Sequence, residues 1–131
     1  MTSQRRDAMN YSERRRHPRY RSKVEAYAVL RAEAPVLAQL IDISEGGMSV
    51  WYVDGEGGSL SPGHVDLFLM DSPYRISGLP VETTSDFETR FDTVSTDRTT
   101  RRRCFRFGHL GALQKNAVVD FITYHTVAAN A

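Results

Sequence analysis

Between residues 24 and 107, apolar side chains return at every second position in short runs, and glycine, proline or aspartate separates one run from the next. A period of two is the signature of a strand buried on one face, so this stretch is read as a series of strands. In the first run Val24, Ala26, Ala28 and Leu30 share a face, with Glu25, Tyr27 and Arg31 on the other. Pro35 interrupts, and a second run sets Leu37, Gln39, Ile41 and Ile43 against Ala38, Leu40, Asp42 and Ser44, with Ile41 and Ile43 expected in the core. Gly46 and Gly47 supply a tight turn into a third run, in which Met48, Val50 and Tyr52 alternate with Ser49, Trp51 and Val53; the two runs are expected to pair as an antiparallel hairpin. A glycine-rich loop over 54–63 precedes a strand at 64–70, another strand runs from Tyr74 to about Phe87, and "RRRCFRF" at 101–107 puts Arg103, Phe105 and Phe107 on one side. The Thr-rich segment 88–100 carries no periodicity that assigns it.

The period then changes. Leu113, Ala117, Val118, Phe121 and Ile122 recur at helical spacing, which predicts one amphipathic helix of about fourteen residues packed on the sheet. Evenly spaced short strands followed by one helix make the fold class all-β: an antiparallel barrel of about six strands with one C-terminal α-helix.

With 131 residues, the chain has material for one domain. No window approaches the roughly 20 apolar residues that cross a bilayer, and the N-terminus lacks the apolar stretch of a secretory signal, so no membrane insertion is expected. The single cysteine, Cys104, allows no internal disulfide and fits a reducing cytoplasm, the expected location. His17, His64, His109 and His125 show no ligand-like spacing, and metal binding is not expected. No nucleophile elbow or phosphate loop occurs, which argues against an enzyme. Absence of a helix-turn-helix, zinc knuckle or aromatic RNA platform argues against DNA or RNA as partner.

The formal charge of +1 conceals a division. Residues 1–23 hold eight Arg and Lys against Asp7 and Glu13, for a net +6, and the remaining body carries −5. Six of those cations fall in "RRRHPRYRSK" at 14–23. A basic arm on an acidic body suits an anionic partner, although a solvated tail accounts for the charge equally well. Pro18 biases His17 toward extended backbone, so the arm is expected to enter the fold without a helix. Asp42 and Ser44, two apart in a strand, are expected to leave the same face as a carboxylate beside a hydroxyl. Gly47 permits a positive φ and lets a ligand approach the backbone. Alone, this spacing is also ordinary turn chemistry.

Together the two stretches carry more. Arg15 and Arg19 form R-x-x-x-R just before the first strand, and "DISEGG" at 42–47 supplies D-x-S-x-x-G at the end of the second. This order on an all-β pattern resembles the PilZ domain, a bacterial receptor module for cyclic diguanylate (c-di-GMP), and "CFRFGHLGALQ" resembles that family's closing strand and helix start. Residues 1–13, polar and without sustained periodicity, are expected to form a flexible tail, and the resemblance implies a single domain over 14–127. Within it, 14–23 is the ligand-binding arm, 24–107 the barrel and 112–127 the helix.

It further implies a second-messenger receptor with no cofactor, whose ligand-binding residues are Arg14, Arg15, Arg19, Asp42, Ser44 and Gly47. Arginine suits a ligand with two phosphates and two guanines, because a guanidinium bonds phosphate or guanine O6 and N7 in pairs and also stacks on a purine. An ionised Asp42 accepts from guanine N1–H and N2–H, which adenine cannot offer. Arg14 and Arg16 offer further guanidinium contacts, and an extra arginine is compatible with a stacked pair of ligands. Trp51, on the outward parity, either flanks a base or covers the barrel. The arm is expected to order on ligand capture and to signal through a separate protein partner. The alternative is a PilZ-like adaptor that works by protein contact without nucleotide.

Overall fold

A computed structural model describes residues 17–53, 62–89 and 99–129. The strands are β1 (Tyr20–Ser22), β2 (Ala26–Arg31), β3 (Val36–Ile43), β4 (Gly47–Val53), β5 (His64–Leu69), β6 (Arg75–Thr89), β7 (Thr100–Phe107) and β8 (Thr126–Ala128), and one helix, α1 (Ala112–His125), precedes β8. All pairings are antiparallel. The order β2-β5-β6-β7-β4-β3 closes on itself through β2–β3, giving the six-stranded barrel that the alternation foretells. Its interior is the apolar parity of each run: Ala28, Leu30, Met48, Val50, Val65, Leu67 and Leu79 are wholly enclosed.

The helix covers the barrel with Val118 and Phe121, whose ring lies 6.0 Å from Tyr74 and 5.7 Å from His125. Leu113, expected in that stripe, is 86% exposed instead, because the packed face begins at Ala117. Val24 likewise falls outside the first barrel strand and is exposed, since β2 begins at Ala26.

Two short strands lie beyond the sequence reading. β1 and β8 pair over Tyr20–Ala128, Arg21–Val127 and Ser22–Thr126, and Tyr20 also pairs with Ile43. Thus β3 is shared, β2 taking its first half and β1 its end. Three residues per strand give almost no periodic signal, and the pairing closes over about a hundred residues of chain, so only tertiary context specifies it.

A second correction concerns β3. Leu40 pairs with Val50 and Asp42 with Ser49, so two residues of β3 oppose one of β4 and Ile41 is the extra residue of a β-bulge. Ala38 and Leu40 point inward before the bulge and Ile43 after it, whereas Leu37 is 60% exposed and Ile41 only half-buried. Unbroken alternation would put Asp42 on the same face as Ala38 and Leu40, inside the barrel; the bulge turns it out.

At one end of the barrel Arg103 points inward and is almost fully buried, which is tolerable only because Asp86 neutralises it. Asp86 accepts hydrogen bonds from Arg103, from Arg101 Nε at 2.9 Å and from the Tyr52 hydroxyl at 3.0 Å. Burial pushes the Asp86 pKa up, but the Arg103 and Arg101 bonds outweigh it and hold the group below the ordinary carboxylate range. Burial raises the Tyr52 pKa. Asp66 follows the same pattern: burial raises its pKa, and the Gly78 amide and Arg31 together lower it further than that.

Candidate ligand site

The two halves of the sequence motif meet where β1 lies against the end of β3. With Tyr20 in antiparallel register with Ile43, Arg19 lies diagonally across from Asp42, and Arg19 Nη1 donates to Asp42 Oδ1 at 3.1 Å across 23 residues of chain. The backbone here is fixed from the far side as well, since the Ala129 amide donates to the Arg19 carbonyl at 3.1 Å and the Lys23 amide to the His125 carbonyl at 2.7 Å. Asp42 has further partners on the outer face. Ser49 Oγ donates to Oδ1 at 2.8 Å, and Arg102 Nη2 stands 3.6 Å from Oδ2. The carboxylate is mostly covered, at 14% exposure, but Arg19 and Arg102 keep 24% and 34%, so the cluster opens to solvent on its cationic side.

Ser44 is placed differently from the expectation of a hydroxyl standing beside the Asp42 carboxylate. It is buried, and its Oγ braces its own turn, accepting from the Gly46 amide at 3.1 Å and the Gly47 amide at 3.2 Å and donating to the Gly47 carbonyl at 3.3 Å. The hydroxyl beside Asp42 is Ser49, because the bulge brings Ser49 opposite it.

Gly47 is not at positive φ; among the described residues the only glycine there is Gly78. Its lack of a Cβ serves the sheet: a Cβ on Gly47 would fall 2.0 Å from the Phe105 carbonyl oxygen of β7. At Gly46 a Cβ would fall 2.7 Å from His17 Cδ2, so the imidazole of the leader rests on the turn. Arg14, Arg15 and Arg16 lie outside the described residues, as do the 1–13 tail and most of the Thr-rich segment.

On the outer face of β7, Arg106 pairs with Glu82 and Arg102 with Asp42. The sequence reading did not connect Arg102 or Ser49 with the motif. The available signal was parity, because Ser49 and Trp51 on β4 and Arg102 on β7 all fall on the outward register of strands that flank β3 or its neighbour. Trp51 is half-buried on that face, in register with Gln39 and Arg102. Among the described residues no three His, Cys, Asp or Glu side chains cluster as a metal site, and no helix is long and apolar enough to cross a membrane.

A closed barrel with a covering helix, and an arginine leader brought onto an aspartate at the end of the third strand, define a class of small β-barrel module. The PilZ domain profile matches residues 13–122, and the chain belongs to the PilZ domain family. Among solved structures the chain is similar to the PilZ domain with c-di-GMP of YcgR from Escherichia coli, with TM-score 0.64 and 16% identity over 84% of this chain and 89% of that one. It is also similar to the MrkH–c-di-GMP complex of K. pneumonia, with TM-score 0.65 and 17% identity over 83% of this chain, which spans only 51% of MrkH. A third likeness, at TM-score 0.56 and 13% identity, is to the inhibitor of motility MotI/DgrA of Bacillus subtilis, with 83% of this chain and 49% of that one covered. At these identities the likeness is one of fold. No curated protein matches the sequence.

Proposed function

We propose that this chain is a c-di-GMP receptor whose Arg19–Asp42 pair is exchanged for ligand. The observation that carries the reading is that single 3.1 Å contact, which joins both motifs at one solvent-facing cluster. A guanidinium and the Watson–Crick edge of guanine each offer a carboxylate paired N–H donors, so Arg19 holds on Asp42 the place a guanine would take. Capture moves Arg19 onto phosphate or onto the Hoogsteen edge of the base, and Asp42 accepts N1–H and N2–H in exchange. A partly exposed ion pair is worth about 0–1 kcal/mol, so the exchange is inexpensive beside the charge-assisted bonds of a dinucleotide.

Arg14 and Arg15 add the remaining cations, and residues 14–19 close over the ligand. The backbone cost is smaller than for a wholly free leader, because Tyr20–Ser22 is already a strand. Ser44 and Gly47 contribute by holding the turn that presents Asp42. The closed arm, next to β8 and the end of α1, forms the surface read by a protein partner, and no step of catalysis is assigned to it.

Calorimetry with c-di-GMP tests this on the wild type and on Arg15→Ala, Arg19→Ala and Asp42→Ala. The wild type should bind near micromolar, a free energy of about −8 kcal/mol, and each variant should lose at least tenfold. Absence of heat from the wild type at high micromolar ligand contradicts the reading and leaves the nucleotide-free adaptor.

A further inference from the structure

We propose that Arg102, which lies outside both motifs, is the positioning residue of Asp42 and thereby sets the preference of the site for guanine over adenine. The inference rests on the receptor reading above and deepens it.

Discrimination between the two purines depends on a carboxylate presenting both oxygens in the plane of the base, since guanine offers two adjacent donors and adenine does not. A carboxylate held at one oxygen remains free to rotate about its terminal bond, a broad and soft torsion. In the cluster Asp42 is held by three groups: Arg19 and Ser49 at Oδ1 and Arg102 towards Oδ2. If Arg19 leaves with the ligand, Ser49 and Arg102 remain.

These two act together. Ser49 is 1% exposed, and its Oγ accepts from Arg102 Nη2 at 3.1 Å while donating to Asp42 Oδ1 at 2.8 Å. Arg102 therefore fixes which way the Ser49 hydroxyl proton points, because a hydroxyl that accepts from a guanidinium turns its own proton to the other partner. The same Nη2 places positive charge 3.6 Å from Oδ2, beyond hydrogen-bond length but within ion-pair reach of that oxygen. One nitrogen thus governs both oxygens.

Two further features show that this guanidinium is placed rather than loosely solvated. Its backbone position is in register with Trp51 on β4 and Phe87 on β6, so its side chain emerges between two aromatic residues on the outer face. Its Nε is buried without an acceptor among the described residues, a donor left unsatisfied while the far end of the group reaches Ser49 and Asp42. Lysine at this position would keep the charge and lose the fixed planar fork.

The test measures c-di-GMP and cyclic diadenylate affinities side by side for the wild type, Arg102→Gln, Arg102→Lys and Ser49→Ala, with a melting curve for each to establish that it is folded. The expected result is a guanine-over-adenine ratio that falls at least tenfold in Arg102→Gln, equivalent to about 1.4 kcal/mol of discrimination, with a similar fall in Ser49→Ala and partial retention in Arg102→Lys. A direct phosphate contact or a purely structural role would weaken both nucleotides equally and leave the ratio unchanged; that outcome overturns the proposal, as do wild-type affinities in all variants. Wild-type protein that binds neither nucleotide refutes the receptor reading itself, and this inference with it.

Discussion

Replacing Gly47 with alanine separates two meanings of the glycine in D-x-S-x-x-G. If the residue is small to admit a ligand, the variant folds normally and binds poorly. The structure points the other way. The new Cβ would sit 2.0 Å from the Phe105 carbonyl oxygen, where ordinary contact begins at 3.4 Å, so β4 and β7 must separate by more than an ångström at this point. The three nearest atoms, Phe105 O and C and Arg106 Cα, are all backbone, and no side-chain rotation relieves them. Opening the pair disturbs the Phe107 amide to Gly46 carbonyl bond at 2.9 Å and the Ser44 amide to Gly47 carbonyl bond at 2.8 Å. Overpacking of this kind costs about 1–3 kcal/mol. Each of the two hydrogen bonds weakened adds about 0.5–1.5 kcal/mol, giving about 2–6 kcal/mol in all.

Gly46→Ala is the internal comparison. Its Cβ meets only the His17 ring at 2.7 Å, an exposed side chain near the start of the described chain that is able to move aside. Its stability cost should stay within about 1 kcal/mol while the leader loses its seat on the turn. Urea denaturation of the wild type and both variants, read by Trp51 fluorescence, gives the three stabilities. A Gly47→Ala midpoint equal to that of the wild type, with binding lost, would refute the reasoning and restore the glycine to a ligand-clearance role.

Asp86→Ala leaves the nearly buried Arg103 without its carboxylate and should cost about 3 kcal/mol by thermal or urea unfolding, the low end for a broken buried pair because Asp86 itself is a fifth exposed. The same group gives a pH dependence. Asp66 and Asp86 both have folded pKa values below the ordinary one, so in acid the unfolded chain binds protons first. Their stabilisation is complete above about pH 5 and is lost as pH falls through the depressed values. Urea midpoints should drop steeply below about pH 4, and less steeply in Asp86→Asn; equal slopes would count against the assignment. Phe121→Ala removes the fully enclosed ring that joins α1 to Tyr74, and should cost about 3–5 kcal/mol, measured in the same way.

The barrel was legible because its strands are half-buried: Met48–Val50–Tyr52 and Arg103–Phe105–Phe107 write their inner face directly into the sequence. The helix was legible through Val118 and Phe121, while Leu113 was apolar and helical in spacing yet exposed, since periodicity places a residue on a face but does not say where that face stops being covered. The bulge at Ile41 escaped because inserting one residue leaves an apolar run apolar and merely moves its parity. That miss carried a consequence. It put Asp42 on the outer face for the wrong reason, and set Ser44 rather than Ser49 beside it. Arg19 was singled out by motif order alone. The contact that brings it to Asp42 depends on β1 pairing with β3 and β8, a long-range arrangement that no local pattern encodes.

A crystal structure grown with excess c-di-GMP reads out the proposed exchange at Asp42. In it the 3.1 Å Arg19–Asp42 contact should be replaced, with a guanine edge on the carboxylate and Arg19 on phosphate or base, while Ser49 and Arg102 keep their places. A complex in which the nucleotide binds elsewhere and Arg19 still holds Asp42 would contradict it.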